Sequence, residues 1–263
     1  MKAQYFIKFF DQLVFNVPYL CFLFSKVGIA GSDDKRQITG TYFVSMKGDF
    51  LPPQLIYQGK TSLCHPRGIT WPKGFHVTHS ENHWSNETVH IDYLKKTIIP
   101  HITSLRQKLN LSPGHKALLV YDVFKGQTTG AVNQILEENN ILSVKVPANH
   151  TNLFQPLDLT VNKCSKAFFS DKYQTWYAEQ VAKQISRGVS PHDVKVDIRL
   201  FALKPLHAKW IVDYYNHMSK QDNRQIVVNG FKKAGIIEAY EQAKKLKELV
   251  DNPFLDIDID TEH

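Results

Sequence analysis

Two aspartates stand where folding can bring carboxylates together. Asp122 directly follows the apolar run ALLVY (117–121), which is bounded by loops and is typical of a strand buried on both faces. Asp158 lies in the first turn of a predicted helix that begins around Pro156, a position that proline favours because its missing N–H would be unsatisfied there anyway. A strand end and a helix start converge if the helix packs beside the strand.

Converging carboxylates predict a metal site, because they repel one another unless a cation lies between them. Mg²⁺ is held in proteins by only one or two carboxylates. Two such ions, about 3.5–4 Å apart, activate water and stabilise the leaving oxygen in phosphodiester cleavage. A structural role also fits, with Asp122 capping a loop and Asp158 stabilising the N-terminus of its helix. Spacing by itself favours the structural interpretation.

The order of elements predicts a mixed α/β sheet with helices on both faces. A hairpin is expected over Ile38–Gly59, then a short strand at Phe75–Thr78 and a helix that Ser85 caps and Pro100 divides or kinks. The later predicted elements are a helix at 129–139, a strand at 141–147, a long helix from Pro156, and helical segments near 197–219, 223–235 and 236–250.

Charge is distributed unevenly along the chain. The formal net charge is +7, but the last thirteen residues carry five of the 25 acids and no Lys or Arg. Residues 1–250 therefore have 32 basic against 20 acidic side chains, a net charge of +12. Such a body suits a polyanion, whose binding releases condensed counterions. An ordinary basic protein surface is the open alternative.

Cysteine and histidine usage does not predict a zinc site or a disulfide framework. The three cysteines (Cys21, Cys64 and Cys164) are an odd number without a CxxC pair, which indicates a reducing intracellular compartment. The twelve histidines form no HExxH motif. We therefore expect the histidines of the 60–85 region, including His65, His76 and His79, in loops or on the surface.

The N-terminal stretch is strongly apolar. Residues 5–24 (YFIKFFDQLVFNVPYLCFLF) resemble a membrane span in composition, but Lys8, Asp11, Asn16 and Pro18 interrupt the run. A charge at the centre of a membrane helix costs about 2.5–3.5 kcal/mol, and no A-x-A cleavage site follows. We interpret the stretch as buried strand material, with a membrane segment as the weaker alternative.

Three longer stretches resemble the DDE superfamily endonucleases of the pogo, Tigger and jerky type. They are DDKRQITGTYFVSMKGDFLPPQLIYQGK, LLVYDVFKGQTT and VPANHTNLFQPLDLTVNK. In that family a strand ends in Asp, and a later P-x-N-x-T-x-x-x-Q-P-L-D stretch supplies the third catalytic acid; here that stretch runs from Pro147 to Asp158. With FKKAGI (231–236), the resemblance covers roughly Gly31 to Tyr240 in the right order.

The resemblance implies an RNase H-like fold in which three acids bind two Mg²⁺ or Mn²⁺ ions. Asp122 and Asp158 would be the second and third acids. The implied reaction is hydrolysis of a DNA strand, followed by attack of the freed 3′-hydroxyl on target DNA. DNA is then the expected partner and the nucleus the expected location, with no stable membrane association. Homodimer formation stays open.

Two departures from the family pattern leave the activity open. The family's N-terminal helix-turn-helix region has no counterpart here. The first catalytic Asp belongs to an Asp-Gln-Thr motif, and the nearest match is Asp11-Gln12, followed by Leu13. Loss of one acid would leave weak metal binding and little or no cleavage. The chain is therefore expected to be either a DNA-binding protein that retains metal-dependent strand cleavage or a catalytically dead nucleic-acid-binding or protein-interaction module.

These expectations divide the chain into three parts. Residues 1–190 form the RNase H-like core, of which residues 1–30 are atypical. Residues 191–250 form a helical C-terminal extension, and residues 251–263 form an acidic tail that suits a basic partner or screens the basic body.

Overall fold

The computed structural model describes residues 21–28, 38–122, 129–146 and 151–251 of the chain. These residues form a mixed sheet of six strands, β1 (Cys21–Gly28), β2 (Ile38–Ser45), β3 (Gln54–Gln58), β4 (His76–Ser80), β5 (Ala117–Asp122) and β6 (Ile141–Val146). Their order across the sheet is β4-β3-β2-β1-β5-β6. The predicted N-terminal strand material thus overlaps β1 at residues 21–24, and residues 1–20, including Asp11, lie outside the described residues.

Strand directions follow the predicted RNase H-like pattern. The central strand β1 pairs antiparallel with β2 and parallel with β5, while β3 pairs antiparallel with β2. The outer pairs, β3 with β4 and β5 with β6, are parallel. The hairpin prediction is confirmed, because Thr41 lies opposite Gln54 and the turn closes with hydrogen bonds between Ser45 and Asp49.

The helices follow the predicted order closely. They are α1 (Glu87–Tyr93), a π-helical turn (Leu94–Ile98), α2 (Ile99–Lys108), α3 (Gly130–Glu138), α4 (Thr151–Phe154), a second π-helical turn (Leu157–Val161), α5 (Asn162–Ile185), α6 (Leu200–Met218), α7 (Arg224–Lys233) and α8 (Ile236–Asp251). The cap of α1 is Asn86, whose side chain accepts a hydrogen bond from the Val89 amide, and not the neighbouring Ser85. Pro100 lies in the first turn of α2, where its missing N–H is tolerated, so the predicted division is confirmed.

Alternating side chains cover both faces of the sheet. On one face, strand residues pack against α5–α8 in a cluster that includes Tyr42, Val44, Leu118, Val120, Val144, Val146, Leu157, Val161, Tyr214, Val227 and Phe231. On the other face they pack against α1–α3 in a cluster that includes Phe43, Leu119, Tyr121, Tyr93, Leu94, Ile98, Ile102, Val132 and Leu136. The period-2 alternation in β5 confirms a strand buried on both sides.

The C-terminal helices contribute directly to this core. Tyr214 and Met218 of α6, and Val227 and Phe231 of α7, are at most 1% exposed. The aromatic pair Phe168 and Phe169 on α5 packs against Tyr214, as expected for core side chains. The boundaries at residues 190 and 250 stay predictions. No helix within the described ranges carries an apolar stretch long enough to cross a membrane.

Candidate functional site

The three predicted acids differ in what the structure describes of them. Asp122 is the last residue of β5, with its backbone opposite Val146 of β6, and its side chain lies outside the described part. Asp158 lies in the second π-helical turn, with side chain and backbone both described. Asp11 lies outside the described residues. Their assignment as catalytic residues and metal ligands stays a prediction.

The turn that carries Asp158 lies against the central strand β1. Leu157 and Val161 flank Asp158, are at most 1% exposed and belong to the same buried cluster as Leu118 and Val120 of β5. The apolar side chains on either side of the acid therefore anchor the turn in a core that also holds side chains of β5, the strand that pairs with β1 and ends in Asp122. Burying two such side chains stabilises this contact by about 3–6 kcal/mol before entropy is counted.

Helices α6 and α7 hold the same turn from outside. The Tyr214 hydroxyl of α6 donates a 3.0 Å hydrogen bond to the Val161 carbonyl oxygen. Gly230 of α7 approaches so closely that an added Cβ would lie 2.5 Å from the Pro156 carbonyl oxygen and 2.7 Å from the Thr160 hydroxyl. Only glycine allows this approach. The position of Asp158 is therefore set by contacts from distant parts of the chain.

The Asp158 carboxylate is half-buried and has a local partner. The side-chain amide of Asn162 donates a hydrogen bond to Asp158 Oδ1, one helical turn away. The Asp158 amide donates to the Gln155 carbonyl oxygen at 3.0 Å, which starts the turn. None of the ion pairs formed among the described residues involves Asp158. One carboxylate oxygen is thus oriented by Asn162, and the negative charge has no Lys or Arg held against it within that part of the chain.

Exposed lysines lie near the two candidate acids along the chain and the sheet. Lys163 and Lys166 are exposed on the first two turns of α5, five and eight residues after Asp158. Lys145 is exposed on β6, next to the register pair of Asp122 and Val146. Eight helical residues span about 12 Å, so the ammonium groups of Lys163 and Lys166 lie within reach of a polyanion bound across the turn.

The sequence prediction missed the residues that position the acid. Asn162 was detectable in part, since an amide four residues after an acid on a helix is a known side-chain pair. Tyr214 and Gly230 gave no local signal. Their contacts with the Asp158 turn join residues more than fifty positions apart, and only the packing of α6 and α7 onto the sheet brings them together.

The expectation that His76 lies in a loop or on the surface is wrong. His76 begins β4 and is 8% exposed. The Gln54 side-chain amide approaches His76 Nδ1 at 3.0 Å, and His76 Nε2 lies 2.7 Å from a carboxylate oxygen of Asp92. Burial lowers the pKa of His76, and the hydrogen bond and charge of Asp92 oppose that shift. The residue fastens β4 to α1, a role that strand burial explains and sequence spacing does not reveal.

Comparison with known proteins links most of the chain to one family. A family model described as DDE superfamily endonuclease matches residues 36–202. The curated protein "Pogo transposable element with KRAB domain" is 24% identical over 209 residues in Homo sapiens and 24% identical over 203 residues in Mus musculus. These matches cover 80% and 77% of this chain but only 30% of each relative, so the chain spans less than a third of their length.

Solved structures of Mos1 transposase are also similar at low identity. A structure of the Mos1 transposase catalytic domain with Raltegravir and Mg has a TM-score of 0.47 and 12% identity, with 92% of each chain covered. A pre-cleavage Mos1 transpososome has a TM-score of 0.44 and 10% identity, and the match covers 93% of this chain and 60% of the other.

Proposed function

Because this chain belongs to the DDE superfamily endonucleases, we propose that it binds DNA and holds a divalent cation, Mg²⁺ or Mn²⁺, with Asp122 and Asp158. The observation that carries the proposal is that the Asp158 turn lies against β1, the strand that pairs in parallel with β5. Leu157 and Val161 share a buried cluster with Leu118 and Val120, and β5 ends in Asp122. A strand end and a helical turn that share one buried cluster would allow two acids to bind one ion.

The described part of the site suits a hard cation. Asp158 offers carboxylate oxygens, the ligand type that Mg²⁺ and Mn²⁺ prefer. Asn162 orients one oxygen, and no ion pair among the described residues competes for the charge. When bound, the metal would supply Lewis-acid stabilisation of a phosphodiester oxygen and activation of water. Asp122 and Asp158 would hold the ion, while the exposed Lys163 and Lys166 would bind the DNA backbone.

A third acid separates the two functions that the sequence left open. The central strand β1, CFLFSKVG, contains neither Asp nor Glu. A carboxylate that completes a two-metal site must therefore come from another segment, and Asp11 is the residue that we propose. If Asp11 does not join Asp122 and Asp158, the site lacks a third acid. The second function, a DNA-binding module without strand cleavage, then follows.

A nicking assay distinguishes cleavage from binding alone. Purified protein is incubated with supercoiled DNA and Mg²⁺ or Mn²⁺, and Asp122→Ala, Asp158→Ala and Asp11→Ala are compared with the exposed α5 control Asp171→Ala. If cleavage is retained, the wild type should nick the DNA. Chelation and each of the three substitutions should abolish nicking, and the control Asp171→Ala should not. Absence of nicking in the wild type supports the non-catalytic module. Nicking that survives both Asp122→Ala and Asp158→Ala would show that the metal assignment is wrong.

DNA binding has its own test. Changing Lys163 and Lys166 to Glu should weaken binding at every sequence and reduce the slope of log K against log salt by about 2, since each phosphate contact contributes roughly 1. Lys183, exposed near the far end of α5, is the matched position for a control substitution to Glu. An unchanged salt slope in the double variant would place the DNA elsewhere.

Nuclear localisation and homodimer formation are part of the same proposal. A DNA-binding role in a eukaryotic cell requires access to the nucleus, and fluorescence imaging of a tagged chain tests this directly. Light scattering of the purified protein tests the dimer. A uniformly cytoplasmic signal would contradict nuclear localisation, and a strictly monomeric mass would contradict the homodimer. Neither result would affect the test of DNA binding.

A further inference from the structure

Three side chains that ligate soft or borderline metals converge at the β4 edge of the sheet. Cys64 ends the 3₁₀ turn Ser62–Cys64, His65 follows it, and His79 belongs to β4. Their ligand atoms all lie within 4.8 Å of one another, and all three residues are half-buried. The sequence did not reveal this group, because His79 lies fourteen positions after His65 and the three residues match no zinc-motif spacing.

The spacing of the two imidazoles fits a common metal ion. His79 Nδ1 lies 3.3 Å from His65 Nε2. In a tetrahedral zinc site with Zn–N bonds of about 2.0–2.1 Å, two nitrogen ligands lie about 3.3–3.4 Å apart. Cysteine sulfur and histidine nitrogen are ligand types that zinc uses in proteins. We propose that Cys64, His65 and His79 form a zinc site, with solvent as the fourth ligand at its exposed side.

Close backbone packing fixes the position of the Cys64 sulfur. A Cβ on Gly59 would lie 2.8 Å from Cys64 Sγ, so the chain leaving β3 passes directly beside the thiol. The Gly59 amide donates a 2.9 Å hydrogen bond to the Ser80 carbonyl oxygen at the end of β4. His79 itself lies opposite Tyr57 in the parallel register of β3 and β4. The three ligands are therefore positioned by the fold, which lowers the entropy lost on binding a metal.

The turn that carries Cys64 and His65 is tied to α6. Lys204 Nζ donates a 2.9 Å hydrogen bond to the Cys64 carbonyl oxygen. Zinc binding would displace the Cys64 thiol proton to solvent and take up the sulfur lone pair.

This zinc site would join three parts of the chain that meet at the edge of the sheet. It links the 3₁₀ turn to β4, and Lys204 extends the link to α6. Its sulfur and nitrogen ligands distinguish it chemically from a carboxylate site at Asp122 and Asp158. The zinc site does not depend on DNA binding or cleavage, and either proposal can fail while the other holds.

Metal binding by the full chain tests the site. The purified protein is stripped with a chelator and titrated first with Co²⁺ and then with Zn²⁺ in competition with a chromophoric chelator. We expect one ion per chain, with a near-ultraviolet thiolate-to-cobalt band that zinc removes. Cys64→Ser should abolish that band, and Cys64→Ser and His79→Gln should each weaken zinc binding by at least about 100-fold, since even an outer partner contributes roughly 10–100-fold. Cys164→Ser, a half-buried cysteine on α5, is the matched control.

Thermal unfolding keeps the result interpretable. Zinc should raise the Tm of the wild type and of Cys164→Ser, because a ligand that binds only the folded state stabilises it. It should not raise the Tm of Cys64→Ser, and that variant should keep the circular dichroism spectrum of the wild type. If the wild type binds no zinc, the proposal is wrong, and His65 and His79 form only a hydrogen bond with each other. A thiolate-to-cobalt band that Cys64→Ser retains would likewise overturn the proposal.

Discussion

The Asp158 turn and the α1–α2 helix pair are fastened to the sheet by different chemistry. Around Asp158 the fastenings are apolar packing, the neutral Tyr214 hydroxyl and the close approach of Gly230. Along α1 and α2 they include buried ionisable groups, His90 at 2% exposure and Arg106 at 6%. The turn that carries the candidate acid is thus held by groups that do not titrate near neutrality, whereas the opposite helices depend on charge and protonation.

The largest effect is expected at Arg106, the charged fastening. Its guanidinium donates to the carbonyl oxygens of His115, Asn139 and Asn140 at 2.8–3.1 Å, which ties α2 to the loop before β5 and to the end of α3. Arg106→Leu should lower the free energy of unfolding by about 3–4 kcal/mol, since hydrogen bonds to charged groups contribute roughly 1.5–3 kcal/mol each and are not additive. Urea denaturation measures the change.

The exposed Arg187 provides the control for that substitution. Arg187→Leu should change the free energy of unfolding by no more than about 0.5 kcal/mol. Equal small effects at both positions would mean that the guanidinium contacts of Arg106 do not fasten α2.

The next effect concerns pH. Burial lowers the pKa of His90 from its ordinary value of 6.5 to about 4. The unfolded chain therefore takes up a proton at His90 before the folded chain does. Its contribution to stability is complete above pH 6.5 and is lost as the pH falls to about 4, in total about 3 kcal/mol. Urea midpoints of the wild type and His90→Gln at pH 7 and pH 5 measure it.

The His90→Gln variant should lose less stability than the wild type between those two pH values. His192→Gln, at an exposed position, should follow the wild type. If His90→Gln shows the full acid dependence of the wild type, other groups account for it and the contrast between the two regions is weaker than the burial of His90 indicates.

A smaller effect is expected at Gly230, on the Asp158 side. Alanine in a helix normally gains about 0.5–1 kcal/mol over glycine. Here its Cβ would overlap the Pro156 carbonyl oxygen, so Gly230→Ala should destabilise the protein by about 1–3 kcal/mol. Gly130→Ala is the matched control, because a Cβ there meets nothing within 4 Å. A stabilising Gly230→Ala would contradict the close approach of α7.

The smallest effect is expected at Tyr214. Tyr214→Phe removes the hydrogen bond to the Val161 carbonyl oxygen and should lower the free energy of unfolding by about 1 kcal/mol. Burial raises the pKa of Tyr214 far above neutrality, so this loss should be equal at pH 5 and pH 8. Tyr177→Phe, at 41% exposure, should be close to neutral. If the stability loss in Tyr214→Phe differs between the two pH values, the Asp158 turn does not differ from α1 in its dependence on protonation.

Local patterns were sufficient to predict most elements of the fold. The run ALLVY identified β5, and the hairpin pattern over Ile38–Gly59 identified β2 and β3, because alternation and turn chemistry are properties of neighbouring residues. The bounds of β1 were not predicted, since an apolar run that extends over residues 5–24 does not indicate where pairing begins. The π-helical turns also left no signal, because they arise from packing against the sheet.

The candidate site was predicted less completely than the fold. The sequence segments around Asp122 and Asp158 identified the two as candidate acids, and a period-3.6 pattern placed Asp158 at a helix start. The contact of Gly230 with Pro156 spans 74 residues, and that of His79 with His65 spans fourteen in an irregular segment. Neither follows from local periodicity. Both are set by how the helices and the sheet edge pack.

The contact between Gly230 and Pro156 also determines how motion reaches the candidate acid. A side chain at an interface can absorb a displacement by changing rotamer, but here a helix backbone lies against a carbonyl oxygen with nothing between them. A shift of α7 must therefore move the turn itself, and Asp158 with it. Lys232 and Lys233 are exposed on the last turn of α7. A polyanion that bound Lys232 and Lys233 and shifted α7 would therefore also shift Asp158.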